Sequence, residues 1–317
     1  HDYVSNFAAV GSCQWKCIVG NVKRWKESES LVIMNPGADK RVDGLDLRAT
    51  LIRRDGETSI VEFLWKGDFD FSEVLDICGT IPIPPYLNRD TQDIDLERYQ
   101  TTYARFNGSV AAPTAGLHFT PEVMTALEEK GVELHRLCLH VGAGTFLPVK
   151  TDKVSEHPMH REPFVISRRE LEALLQHKKV VAVGTTSVRT LESLYYIGVS
   201  ILEKGEPEDV PQWAPYVRDY EADTEGALRA ILGYLDANGL PELKAGTRII
   251  IVPGFKFRIV DMMVTNFHQP QSTLLLLISA FVGGDWRRIY DHALAGGYRF
   301  LSYGDSSLLT RSLSDPE

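Results

Sequence analysis

Positive charge is in short supply. Among 317 residues, 34 Lys and Arg stand against 43 Asp and Glu, a formal net charge of −9. This balance excludes general polyanion binding through bulk charge. A nucleic-acid partner would have to meet a local basic patch against an unfavourable overall field. Long apolar runs are missing as well. The longest, "LLLLISAFV" (Leu274–Val282), is far short of the roughly 20 residues that span a bilayer. It follows Ser272, a good N-cap, and reads as a buried helix, so no membrane partner is expected. Cysteine is sparse: there are four, and only Cys13 and Cys17 are close. A lone C-x3-C without a second pair is weak evidence for metal, and Cys138 in "RLCLHV" is a small core residue. A reduced, cytoplasmic protein follows. There is no G-x-G-x-x-G fingerprint, no repeat, no low-complexity tract and no legible signal peptide. The first residue is His1 rather than methionine, so the true start is expected to lie upstream or to have been processed.

What is present is enough apolar content, 44%, for a substantial core and more than one domain. Residues 1–70 are β-rich: "CQWKCIVGNV", "LDLRATLIRR" and "TSIVEFLWKG" alternate partially between turn residues, which fits a small barrel or sandwich and is read as a partial β-barrel-like domain. Residues 71–317 change rhythm. Thr120 caps a helix with Pro121 at its first position, ending at Gly131. Ser167 and Glu170 have capping-box spacing. "VVAV" (Val180–Val183) is a buried strand leading through "GTTS" into "VRTLESLYY". "RIIIVPG" and "RIVDMMV" read as strands, and Ser272 and Asp285 open two further helices. Helices alternating with apolar strands predict an α/β fold: a largely parallel sheet flanked by helices, beside the smaller β-barrel. The charged stretch at about 203–246 is expected to be a peripheral insertion.

Chemistry concentrates where strands run into small and hydroxyl residues. "LHVGAGTF" brings His140, Gly142, Gly144 and Thr145, and "VGTTSVR" brings Thr185, Thr186, Ser187 and Arg189. "VTNFHQPQST" brings Asn266, His268 and Ser272. "APTAGLHF", eight residues without a formal charge, brings Thr114, Gly116 and His118. Ligands of open α/β sheets bind beyond the carboxyl ends of strands, and the helices starting near Ser187 and Ser272 offer free N–H groups to an anion. Any one such turn is ordinary structure. Four of them with His118, His140, Arg189 and His268 inside predict one shared pocket of low charge. "EHPMHRE" adds His157, His160 and Glu162. Pro158 rules out the helical two-histidine zinc arrangement, and an imidazole–carboxylate pair for proton transfer is the better reading. No metal site is expected; His135 and His177 read as solvated or packed. "YRFLSYGDSSLL" sets Tyr303 and Asp305 around Gly304 in a turn.

These motifs together resemble the S-adenosylmethionine:tRNA ribosyltransferase-isomerases of queuosine biosynthesis. "RYQTTYA", "GSVAAPTAGLHF", "LHVGAGTFLPV", "HPMHRE", "VGTTSVRTLES", "VTNFHQPQSTLLLLISAF" and "YRFLSYGD" carry the resemblance, in order, from about Ile81 to Asp305. It implies an α/β domain with a β-barrel inserted in it. The implied reaction moves the ribosyl part of S-adenosylmethionine onto the aminomethyl group of a 7-deazaguanine base in the tRNA anticodon. Adenine and methionine leave and an epoxycyclopentane ring forms, giving epoxyqueuosine. S-adenosylmethionine is then a co-substrate, the tRNA anticodon region is the partner, and a cytoplasmic monomer without a prosthetic group is expected. Proton transfers would be shared among His118, His140, His160 and His268, with Glu162 orienting a histidine or facing the sulfonium. Arg189 or the "GTTS" backbone would hold the methionine carboxylate or a tRNA phosphate.

The chain departs from the family in four places, one of them a Glu203–Gly246 stretch longer than the family leads one to expect. An opening "FNDTRV-PARL"-like motif is absent, Gln269 and Gln271 flank Pro270, and "SSLL" replaces an "AML"-type ending. A divergent or N-terminally truncated member is therefore expected. Two other readings compete: a non-catalytic or altered-substrate relative that binds S-adenosylmethionine or tRNA, and a metal-dependent hydrolase or lyase built on the histidines and Glu162.

Overall fold

The computed structural model describes residues 6–33, 44–56, 58–80, 83, 87, 89–102, 112–139 and 158–312. The chain divides into two compact units, residues 1–83 with 89–91, and residues 84–88 with 92–317. It is a mixed α/β protein. No helix among the described residues is long and apolar enough to cross a membrane.

The first unit is built on β1 (Ser12–Cys17), β2 (Ser30–Val32), β3 (Arg48–Asp55) and β4 (Thr58–Leu64), followed by α1 (Phe71–Cys78). In β4 the β-branched run buries Ser59 and Val61 on one face, the period-2 pattern of a half-buried strand. Asp70 and Glu73 form a reciprocal capping box that starts α1, with Glu73 N–H donating to Asp70 Oδ1 and Asp70 N–H to Glu73 Oε2, both at 2.9 Å. The helix seats Phe71 and Val74 in a small core with Cys13, Leu45 and Trp65. Among the described residues the expected barrel is not closed: the sheet is antiparallel and open, in the order β1-β4-β3-β2. A barrel needs inward side chains from every strand to fill it, and the three residues of β2 are all exposed.

The second unit holds, in chain order, α2 (Asp93–Arg98), a 3-10 turn (Thr114–His118), α3 (Pro121–Glu129), β5 (Cys138–Leu139), β6 (Glu162–Ser167), α4 (Arg168–Gln176), β7 (Val181–Val183), α5 (Thr185–Lys204), α6 (Thr224–Ala237), β8 (Glu242–Thr247), β9 (Met262–Asn266), α7 (Thr273–Val282), α8 (Trp286–Ala295) and β10 (Ser306–Thr310). The helix starts follow the sequence. Thr120, Ser167 and Ser272 each accept the N–H of the third helical residue.

The expectation of a largely parallel sheet is not met. Among the described residues only β7 and β9 pair in parallel; β10–β9, β5–β6 and β6–β8 are antiparallel, in two three-stranded sheets. Alternation of helices and strands sets the layers. Strand direction depends on which edge each connection reaches, and that is a tertiary choice. "RIIIVPG" is not a regular strand either. It is an extended segment whose Arg248 and Ile250 N–H groups donate to Val210 and Gln212 carbonyls.

The stretch read as a peripheral insertion contributes α6 and most of β8 to the centre of this unit. Ala227, Leu228, Ile231, Leu235 and Leu243 are at most 3% exposed and belong to the main core. They pack on α5, which is buried from Val188 to Val199. The two helices meet at Gly198, where an added Cβ would stand 2.2 Å from the Ala227 carbonyl oxygen. Buried Glu192 on the same helix accepts the N–H groups of Arg258, Ile259 and Val260 at 2.9, 3.1 and 2.9 Å. It thereby closes the loop that leads into β9.

Candidate active site

The uncharged segment "APTAGLHF" contains the 3-10 turn over Thr114–His118, with Ala115 and Gly116 buried. It lies against the start of α5, where a Cβ on Gly184 would be 3.8 Å from the Ala115 Cβ. Gly184 has φ +90°, which suits glycine, and no side chain caps the helix it opens. The motifs "APTAG" and "VGTTS" therefore meet at Ala115 and Gly184, and Thr185, Thr186 and Ser187, all partly buried, form the first turn of α5.

From this turn two side chains reach the end of β9. Thr114 Oγ1 donates to Asn266 Oδ1 at 3.2 Å, and Asn266 Nδ2 lies 3.1 Å from His118 Nε2. The threonine hydroxyl orients the amide, and the amide orients the imidazole. Asn266 is 3% exposed, so this order is preorganised rather than solvated. His118 then opens onto a cleft of about 450 Å³ lined also by Gly296, Gly297, Tyr298, Asp305 and Ser306. Burial lowers the His118 pKa; the Asp305 carboxylate opposes this and Arg299 adds to it. Asp305 accepts the Arg299 backbone N–H at 2.7 Å and its guanidinium at 3.3 Å, and these contacts hold its carboxyl below the usual range. The cleft thus presents a largely neutral imidazole beside an ionised carboxylate.

His268 is held differently. Its Nε2 shares a 2.9 Å hydrogen bond with Thr265 Oγ1, and its backbone N–H donates to Tyr290 Oη at 3.0 Å. Thr265 and Asn266 are successive residues of a strand and point to opposite faces, so His118 and His268 are anchored from opposite sides of β9. Burial lowers His268 from its ordinary 6.5 to about 4. The linkage has a definite sign. The unfolded chain binds the proton that the folded chain refuses, so the stability from this group is full above pH 6.5 and is lost as pH falls towards 4. The whole shift corresponds to about 3 kcal/mol. Urea unfolding of wild type and His268→Gln between pH 7 and 4 checks it: the wild-type curve should fall more steeply in acid.

The remaining expected residues disperse. Glu162 pairs with Arg189 at 2.7 Å, with side chains 13% and 7% exposed, and Arg189 Nε donates to the Ile249 carbonyl at 2.9 Å. Glu162 and Arg189 thus form a buried ion pair that joins β6 to α5, and the second atom of each, Glu162 Oε2 and Arg189 Nη2, is buried without a hydrogen-bond partner among the described residues. Low dielectric makes that pairing the cheapest fate for both charges. His160 is exposed ahead of β6. Ser272 is engaged as the cap of α7, accepting from Leu275 N–H at 3.2 Å. Tyr303 donates to buried Asp95 at 2.7 Å. His140, Gly142, Gly144, Thr145 and His157 lie outside the described residues. Among the described residues, Glu162 belongs to no grouping of three side chains able to hold a metal ion.

Asp95, Tyr290, Tyr298 and Arg299 were not singled out by the sequence reading. Each is an ordinary residue in its local string, and only packing brings it to a site histidine or tyrosine.

The family model described as queuosine biosynthesis protein matches residues 4–309. The chain belongs to this family. Within it, the chain is 37% identical over 305 residues to the S-adenosylmethionine:tRNA ribosyltransferase-isomerase of Trichlorobacter lovleyi, covering 95% of this chain and 75% of that protein. It is 44% identical over 274 residues to the enzyme of the same name from Mesorhizobium japonicum, covering 84% of this chain and 65% of that protein. A crystal structure of S-adenosylmethionine tRNA ribosyltransferase from Thermotoga maritima aligns at 27% identity and a TM-score of 0.40, over 93% of this chain and 70% of that one. The resemblance carried by the ordered motifs is thereby borne out at the level of the queuosine biosynthesis family.

Proposed function

We propose that this chain transfers and isomerises the ribosyl part of S-adenosylmethionine onto a 7-aminomethyl-7-deazaguanine base in tRNA, with loss of adenine and methionine. The observation that carries this reading is the Thr114–Asn266–His118 chain at the cleft beside Asp305. It is assembled from two of the motifs that mark the family. S-adenosylmethionine is the co-substrate and the tRNA anticodon region the partner. No prosthetic group is called for, and a cytoplasmic monomer is the working assumption. The two compact units are read as a smaller β domain and an α/β catalytic domain.

The chemistry needs proton transfers near neutral pH. The sulfonium acidifies the adjacent C5′ protons, the attacking amine must be neutral, and adenine leaves more easily when its ring is protonated. A neutral His118 whose Nε2–H donates to the turned Asn266 Oδ1 has Nδ1 free to accept a proton, and Asp305 stabilises the imidazolium that results. Asn266 suits either state. Half a turn of its amide exchanges the donor facing His118 for an acceptor, and Thr114, whose hydroxyl both donates and accepts, follows. The uncapped N–H groups at Thr185–Ser187 suit the methionine carboxylate or a phosphate, in place of Arg189.

Incubation with labelled S-adenosylmethionine and tRNA bearing the precursor base is the test. Adenine should appear only with both substrates, in step with base conversion. Binding of S-adenosylmethionine without adenine release would point instead to a relative that binds but does not react. Asn266→Ala should lower adenine release about 10–100-fold by freeing the imidazole to rotate, with less change in KM, as a supporting residue does. Undiminished release in that variant would remove Asn266 from the site.

A further inference from the structure

Among the described residues, one grouping away from the cleft combines two imidazoles and a carboxylate: Glu133, His135 and His177. The first two lie on the connection between α3 and β5, and His177 is the C-cap residue of α4. Glu133 Oε2 accepts from His177 Nε2 at 3.0 Å and from His135 Nε2 at 3.3 Å, and all three ligand atoms fall within 4.8 Å of one another. The rings stand 5.9 Å apart between centroids, tilted by 53°, so their edges converge on the carboxylate rather than stacking.

We propose that Glu133, His135 and His177 form a zinc site on the surface of the second unit. Tetrahedral zinc with bonds of about 2.0–2.2 Å sets its ligand atoms about 3.3–3.5 Å apart. The two N···O separations need to open by only a few tenths of an ångström, and the two imidazole nitrogens, at most 4.8 Å apart, need small side-chain rotations to complete the set. In the metal-free state each Nε2 donates to the carboxylate. On binding, each ring proton moves to Nδ1, where solvent can accept it, and the Nε2 lone pairs and Oε2 turn to the metal. Three protein ligands leave the fourth position to water.

The donor set also decides which cation. Two imidazoles favour zinc-type ions over magnesium or calcium, which prefer all-oxygen sites. The neighbours in sequence are the cations Arg136, Lys178 and Lys179, all exposed. Diffuse negative charge therefore does not draw ions here, and coordination has to. Because Glu133 and His177 are 44 residues apart in sequence, the ion would tie the α3–β5 connection to the end of α4. This is a clamp separate from the proposed transfer chemistry and independent of it.

The full chain, stripped of metal, is titrated with Zn2+ alone against a chromophoric chelator. One equivalent should bind with a Kd of about 10 µM or tighter, and binding should weaken at least about 30-fold in His135→Ala/His177→Ala. The Tm should rise with Zn2+ in the wild type and not in the variant, and Mg2+ should not compete. The α4 cap survives the substitution, since it is the backbone N–H of residue 177 that donates to Ala173. Binding weaker than about 100 µM, or equal binding by wild type and double variant, would overturn the proposal.

Discussion

Replacing His118 by Ala should slow adenine release about 10²–10⁴-fold, the range for losing a positioned proton-transfer group. The structure also says what should not change. His118 is partly buried at the edge of an open cleft, and its loss uncovers Asn266 Nδ2 to water rather than to an apolar core. The cost in stability should stay near 1 kcal/mol, about that of one net hydrogen bond. Affinity for S-adenosylmethionine should shift little beside the fall in kcat if, as proposed, the first turn of α5 holds the anionic end. His118→Asn would keep a partner for Asn266 without a titratable ring and should be as slow as Ala. Single-turnover adenine release, with S-adenosylmethionine binding measured in parallel, separates these outcomes. Rates within a few-fold of wild type would take His118 out of the chemistry. His268→Ala serves as the contrast: with its ring committed to Thr265 and its pKa near 4, its main loss should be in stability.

Gly198→Val should be the most destabilising single substitution of those considered. The first atoms that a Cβ would meet are backbone, the Ala227 carbonyl oxygen at 2.2 Å and carbon at 2.5 Å. No rotamer can relieve the overlap, so α5 and α6 must separate along a crossing that is part of the main core. Overpacking of this kind costs about 1–3 kcal/mol, sometimes more. For a unit of this size, about 3 kcal/mol lowers Tm by roughly 6–12 °C. Intrinsic helix propensity works the other way, since glycine inside a helix is about 1 kcal/mol worse than alanine, and here the clash wins. Gly233 on α6 isolates the two effects. It is exposed, and an added Cβ meets nothing within 4 Å, so Gly233→Ala should raise stability by about 0.5–1 kcal/mol. Thermal melts of the two variants should move in opposite directions. A Gly198→Val protein that melts with the wild type would mean the helices do not approach as described.

Sequence alone determined the features that depend on a few neighbouring residues. Thr120, Ser167 and Ser272 announced helices because an N-cap acts within three positions, and the ordered motifs determined the queuosine biosynthesis family. Period-2 patterning exposed the β-rich start, yet it could not say whether four strands would close into a barrel. The alternation of strands and helices gave the α/β class and left strand direction open. The pairings at the site belonged to the tertiary structure. Asn266 reaches His118 across 148 residues, and adjacent Thr265 turns His268 to the other face. Glu162 and Arg189 found each other through packing of β6 on α5, where two charges leaving water together stabilise one another. Local signals decay over one helical turn, whereas the partner of a buried polar group is settled by whichever element packs against it.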